Sequence, residues 1–233
     1  MNLKNANVLI TGGSLGIGKA TAMLLKEHGA NIAITGRNKD RLDKAAKEIG
    51  AIAIQADAGN EADIKKTFEE LSSHWDRLDV LVNNAGIGKH SALAEVTSKE
   101  FTDVFNVNVL GAALYAREAA EWFKKQNSGN IINIASTSGL KGYETGTMYV
   151  ASKFALRGMT ECWRAELRRY NVRVTLVNPS EVTTAFGNPQ GVERPDEPKK
   201  LRSMEIAHVI KSVLEIDDRG FVTDATVFAT NPW

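Results

Sequence analysis

Short apolar runs alternate with longer amphipathic stretches along almost the whole chain, and that alternation leaves few folds open. "NVLIT" (7–11) reads as a buried strand and "LGIGKATAMLLKEHG" as a helix closed by Gly29. "NIAIT" (31–35) is the next strand, followed by the charged helix "KDRLDKAAKEIG", again ended by a glycine. "AIAIQAD" (51–57), "DVLVNN" (79–84), "NIINIAS" (130–136) and "VRVTLVN" (172–178) repeat the pattern, and "ATVFAT" reads as a final strand. Short strands separated by helices need crossover connections, which give a parallel sheet covered on both faces. The expected fold class is α/β, a doubly wound parallel sheet in one domain spanning residues 1–233.

A chain of 233 residues suits that domain, because α/β folds often exceed 200 residues without splitting. A hydrophobic content of 43% with 24% charged residues reads as globular and soluble. The formal net charge of +1 gives no overall attraction for nucleic acid or an acidic membrane, so neither is an expected partner. No apolar run is long enough to span a bilayer, and "MNLKNANVLI" lacks the apolar core of a secretion signal; a cytoplasmic protein is expected. The single cysteine, Cys162, has no partner for an internal disulfide and cannot alone make a thiolate metal site. It lies in the helix-like "TECWRAELRR", where a packing role is expected, and no metal is expected anywhere.

"TGGSLGIG" (11–18) ends the first strand and opens the first helix. Gly12, Gly16 and Gly18 let the backbone turn tightly and approach a ligand. The helix then directs free N–H groups and its positive dipole end at that spot, a setting for the pyrophosphate of a dinucleotide. After the second strand, where an acid would accept hydrogen bonds from an adenosine ribose, the chain offers Gly36 and Arg37. An arginine suits a 2′-phosphate, which favours NADPH and leaves NADH open; the alternative is a solvated arginine starting a polar helix. "YVASK" sets Tyr149 and Lys153 four apart, neighbours on one helix face. A nearby ammonium favours a phenolate and would lower the tyrosine pKa toward the working range.

With "TGGSLGIG", "NNAG" (83–86), "NVLG" (108–111), Ser136 and "YVASK" in this order, the sequence resembles the short-chain dehydrogenase/reductase family over almost its whole length. The resemblance implies a Rossmann-type domain with a seven-stranded parallel sheet, acting on a carbonyl or alcohol with a nicotinamide cofactor. It places the phosphate turn at Thr11, Gly12, Gly16 and Gly18, with Ser14 and Ile17 close by. It assigns Asp57 to the adenine and Asn83, Ala85 and Gly86 to the turn beside the cofactor. Pro179, Val182 and Thr184 fall where the family contacts the nicotinamide end. Ser136, Tyr149, Lys153 and Asn108 match the catalytic residues. Ser136 would hold the substrate oxygen, Lys153 would also bond the nicotinamide ribose, and Asn108 would anchor a proton-relaying water.

Ser180 stands where the family has a glycine, which bears on the local turn. The polar stretch "TTAFGNPQGVERPDEPKKLRS" (183–203) carries no period and follows a strand, as a substrate loop would. It is short for the family, which suggests an open pocket. The general resemblance is to 3-oxoacyl-[acyl-carrier-protein] reductases and to small hydroxy-acid or hydroxy-amino-acid dehydrogenases. The expected substrate is therefore a small carbonyl or alcohol compound, foremost a 3-oxoacyl thioester, free or carried on a protein. Arg168 and Arg169 could meet such a carrier or be a solvated helix end. His90 falls near where the family lines its substrate site, or is only a loop histidine. A dinucleotide-binding sensor without chemistry is the alternative of another class, though it would have no need of a proton relay. A longer-chain epimerase or dehydratase needs a larger C-terminal region than this chain has. By resemblance, a homodimer or homotetramer would form through helices at roughly 103–126 and 150–170, where Val109, Ala112, Ala113, Ala116, Ala155, Met159 and Trp163 serve that contact or the internal core.

Overall fold

The computed structural model of the protein describes residues 1–188 and 190–232. In β1 (Asn7–Ile10), Val8 and Ile10 point to one side of the sheet and Leu9 to the other, and all three are fully buried. The same two-residue alternation runs through β2 (Asn31–Gly36), β3 (Ile52–Gln55), β4 (Val80–Asn83), β5 (Gly129–Ile134) and β6 (Val172–Pro179). With both faces covered, these strands are continuous apolar runs. On one face they pack against α1 (Gly16–Glu27), α2 (Lys39–Ile49) and α7 (Ser203–Glu215). On the other they meet α3 (Glu61–Ser72) and α5 (Ala112–Gln126), where Phe68, Leu71, Tyr115 and Phe123 form the interior.

Two further short strands, β7 (Val182–Thr183) and β8 (Leu201–Arg202), pair in parallel outside the main sheet. The last strand, β9 (Asp224–Val227), joins β6. The main sheet is a seven-stranded Rossmann-type α/β sheet in the order β3–β2–β1–β4–β5–β6–β9, every neighbour parallel. The chain winds outward from β1 to β3, then crosses back to β4 and winds the other way. The connections that leave the carboxyl ends of β1 and β4 therefore run to opposite sides, and an α/β sheet binds its ligands in the crevice between them.

Three expectations need correction. The helix expected over 103–126 is α4 (Ser98–Phe105), a π-helical turn at Asn106–Gly111, and then α5. The turn is wide because its residues answer to neighbours outside the helix. Asn108 is bonded to the main chain of Ile87, and a Cβ on Gly111 would lie 2.0 Å from the Ala58 carbonyl oxygen. Cys162, expected to pack, is exposed on α6 (Thr147–Leu167). The 183–203 segment is not loop throughout, since Thr183 and Leu201–Arg202 form strands and Ser203 opens α7. Pro189, in the middle of that segment, lies outside the described residues.

Candidate active site

Asn38, Asn60 and Thr97 cap α2, α3 and α4 with their side chains, but Leu15 at the start of α1 makes no side-chain cap. The first amides of α1 are therefore available to an anion. In the structure one is taken by the chain itself, because the Gly16 N–H donates to Glu193 Oε1 at 2.8 Å. A carboxylate thus sits where a phosphate would. Gly12 (φ +64°) has no room for a side chain, since a Cβ would lie 3.0 Å from Ala85 Cα. A Cβ on Gly18 would meet the Gly12 carbonyl oxygen at 2.5 Å, so the helix presses directly on the turn. The Thr11 hydroxyl accepts from the Asn84 and Ala85 amides, both at 3.0 Å, and the Asn84 side-chain amide donates to the Thr11 and Gly12 carbonyls. These bonds lock the ends of β1 and β4 together.

This turn forms one end of a cavity of about 1200 Å³. Of the residues singled out in the sequence, Gly12, Ser14, Gly16, Ile17, Arg37, Asp57, Ala85, Gly86, Ser136, Tyr149, Lys153, Pro179, Val182 and Thr184 line it. Thr11, Gly18 and Asn108 stand behind the wall. Asn83 does not face the cavity. Side-chain alternation along β4 turns it with Leu81 toward α5, where its amide donates to the Ala112 carbonyl and to Asn133 Oδ1. Its neighbour Asn84 lines the cavity instead.

Beside the glycine turn, Gly36 leaves space for Ser14, whose Oγ would lie 3.3 Å from a Cβ placed there. Asn38 and Arg41 join Arg37 in the wall, and Arg41 was not legible as a site residue. Its guanidinium lies against Gly191 of the 183–203 segment. Asp57 accepts from the Gly59 amide at 2.9 Å, which fixes the loop after β3.

Tyr149 and Lys153 lie one turn apart near the start of α6, with the Lys153 ammonium 5.6 Å from the tyrosine ring centroid. Lys153 is buried and donates to the Ile134 carbonyl at 2.9 Å. Burial pushes its pKa down to about 8. The phenol of Tyr149 is pushed up to about 12, mainly by burial and slightly by Tyr143, with the Ser136 hydroxyl pulling the other way. The expected lowering by the ammonium is not among the causes of this shift. Desolvation disfavours the charged form of each group, so Tyr149 is a neutral phenol at neutral pH and not a phenolate.

Asn108 is held on both sides of its amide, accepting from the Ile87 N–H at 2.8 Å and donating to the Ile87 carbonyl at 2.9 Å. It also donates to Ser152 Oγ at 3.0 Å, and Ser152 donates to the Tyr149 carbonyl at 2.7 Å. Ser152, fully buried within "YVASK", is the link between the π turn and α6. Its place one residue before the lysine was the only signal of it. Ser180 is unstrained: its φ is not positive, and its amide continues the β6–β9 ladder to the Val227 carbonyl at 2.8 Å.

His90, Tyr143 and Phe186 line the remaining wall, beside Tyr149. Lys89 and Lys141 lie at this end too. Arg168 and Arg169 do not: 19 residues beyond Tyr149, they are roughly 28 Å down the helix axis. Their distance removes them as residues of the pocket mouth.

The family of short chain dehydrogenases matches residues 6–194. The 3-oxoacyl-[acyl-carrier-protein] reductase of Homo sapiens is 32% identical over 212 residues, 88% of this chain and 90% of its own. An alcohol dehydrogenase from the archaeon Thermococcus sibiricus, solved with 5-hydroxy-NADP, superposes with a TM-score of 0.90 at 26% identity over 97% of both chains. The 3-ketoacyl-(acyl-carrier-protein) reductase from Brucella melitensis, complexed with NADH, gives 0.88 at 28% identity, covering 99% of this chain and 100% of its own. The uncapped helix turn, the glycines that admit a close ligand and the cavity that joins them to Tyr149 fit the nicotinamide dinucleotide that these two structures contain. The chain belongs to the short-chain dehydrogenase family and is an oxidoreductase working between an alcohol and a carbonyl with a nicotinamide dinucleotide.

Proposed function

We propose that the protein uses NADPH to reduce a 3-oxoacyl thioester, or a similar β-keto compound, to the secondary alcohol. The observation that carries this reading is one continuous cavity with Arg37 at one end and Ser136, Tyr149 and Lys153 at the other. A nicotinamide held in this cavity would supply hydride chemistry at the carbonyl carbon. Ser136 donates a hydrogen bond to the substrate oxygen and orients it. The Tyr149 phenol, protonated at neutral pH, gives its proton to that oxygen as negative charge develops. Lys153 would hold the nicotinamide ribose and resupply the proton to Tyr149, and Asn108 would hold the path from Lys153 toward solvent. The 183–203 segment serves as the substrate loop.

Arg37 has an exposed side chain at the cavity edge, and Arg41 stands beside it with the Ser14 hydroxyl opposite. Two guanidinium groups without a carboxylate at this position support a 2′-phosphate. Arg37→Ala should weaken NADPH binding by about ten- to a hundredfold and leave NADH nearly unchanged, because one charge-assisted hydrogen bond is worth about 1.5–3 kcal/mol. Dissociation constants of both cofactors for both proteins decide it; wild-type protein that holds NADH as tightly as NADPH would remove the NADPH assignment. NADPH consumption with acetoacetyl thioester tests the reaction itself.

The same reading includes a homo-oligomer. Leu110 and Phe154 are exposed on the π turn and α6, next to partly buried Ala113, Ala155 and Met159. This supports pairing of copies through that face. A monomer by light scattering at micromolar concentration would exclude it.

A further inference from the structure

Four of the large apolar side chains that the protein leaves exposed, Leu140, Tyr143, Phe186 and Phe228, line the one cavity that contains Tyr149. Apolar surface gathered around a reacting group marks what the ligand must cover. The rings among it are fixed in position. Phe186 lies on Gly88, where a Cβ would come within 2.8 Å of its Cε1, and its centroid is 5.5 Å from that of Tyr149. Tyr143 lies on Gly146, again 2.8 Å from where a Cβ would be. The His90 ring lies 5.9 Å from both the Tyr143 and the Tyr149 rings, with its Nδ1 3.5 Å from the Tyr143 hydroxyl.

The loops that carry these rings are joined as well. The Ser91 amide donates to the Thr145 carbonyl at 3.1 Å, and Thr145 is held at φ 65°, which a β-branched residue adopts only under constraint. Each glycine thus seats a ring, and the joined loops set the spacing between His90 and Tyr143. Among the described residues, the arginine lining this end, Arg194, is engaged by Glu181 and the Val182 carbonyl and is not free to bind a small carboxylate. Lys89 and Lys141 are at the exposed rim.

We propose that the β-keto substrate carries an aromatic ring next to the reacting carbonyl, received against the cavity wall that Phe186, His90 and Tyr143 form. This rests on the carbonyl-reductase reading above and narrows it to aryl ketones. An aromatic ring gains offset or edge-to-face contact with these three rings, whereas a saturated ring of the same size gains only burial.

Ethyl benzoylacetate and its cyclohexyl counterpart, ethyl 3-cyclohexyl-3-oxopropanoate, form the matched pair for a test with NADPH. kcat/KM for the phenyl compound should exceed that for the cyclohexyl compound by about three- to tenfold. Phe186→Leu keeps apolar bulk but loses one of the three ring faces, and should lower the ratio measurably toward one. Equal rates in the wild type, with both compounds turned over, would overturn the aryl preference and leave the reductase reading intact. Should neither be turned over while NADPH binds, calorimetry on Tyr149→Phe protein with NADPH decides. Phenyl binding several-fold tighter than cyclohexyl supports the proposal, and equal or absent binding overturns it.

Discussion

Replacing Tyr149 with phenylalanine lowers kcat for ketone reduction by about 10³-fold, within the range for loss of a positioned general acid. The substitution removes one hydroxyl and keeps the ring, so the contacts of Tyr149 with His90 and Phe186 survive. The phenol is well suited to the acid role. With its pKa pushed up to about 12 it stays protonated across the working range, yet the alkoxide that forms on reduction is far more basic and takes the proton readily. Since the hydroxyl acts on the substrate oxygen, the dissociation constant for NADPH should change by no more than about twofold. Fluorescence titration with NADPH and steady-state kinetics on the same preparation separate the two effects. A variant that retains more than a tenth of the wild-type rate would show that another group donates the proton.

Lys153→Met should abolish turnover and make the protein without cofactor more stable at neutral pH. The ammonium is buried, and its pKa falls from 10.5 to about 8, a penalty of about 3 kcal/mol for keeping it charged. Methionine has similar length and no charge. It leaves the Ile134 carbonyl without its hydrogen bond, which costs about 1 kcal/mol, so the net gain is about 2 kcal/mol. The sign follows from linkage. The folded-state pKa lies below the unfolded one, so from about pH 8 to 10.5 the unfolded chain binds the extra proton and wild-type stability recovers. The advantage of the methionine variant is therefore complete below pH 8 and fades toward pH 10.5. Denaturant unfolding of the two proteins at pH 7 and pH 10 measures it. A variant less stable than wild type at pH 7 would mean that the lysine is not penalised by its burial. Such a gain on removing a functional group is the usual relation between active-site chemistry and stability.

The sheet was legible because strands buried on both faces are continuous apolar runs, and "NVLI", "NIAIT" and "NIINI" admit little else. The phosphate turn and the Tyr149–Lys153 pair were legible because both depend on local spacing. What depended on direction was not. "NNAG" does not tell which asparagine faces the ligand, yet the alternation of Val80, Leu81, Val82 and Asn83 sends Asn83 into the α5 face and leaves Asn84 for the cavity. The position of Arg168 and Arg169 followed from helix rise alone and could have been worked out beforehand. The Gly16–Glu193 contact joins residues 177 apart across an aperiodic segment, and no short-range pattern announces it. The raised pKa of Tyr149 is hidden for a different reason: i, i+4 spacing shows that a lysine is near, but the burial that raises the phenol pKa belongs to the folded interior.

The π-helical turn at Asn106–Gly111 gives chain length a meaning that composition does not have. A π turn accommodates an additional residue within an α-helix, so α4 and α5 are out of phase with each other by about 100° compared with an unbroken helix. Deleting one residue from "NVNVLG" would let the helix run straight through. Every side chain stays apolar or polar as before, but Asn108 would rotate away from Ile87 and Ser152, or α5 would turn Phe123 and Tyr115 out of the interior. Sequence changes by substitution are tolerated here to the extent that packing allows, whereas a single codon lost would break either the Asn108–Ser152 contact or the packing of α5 on the sheet.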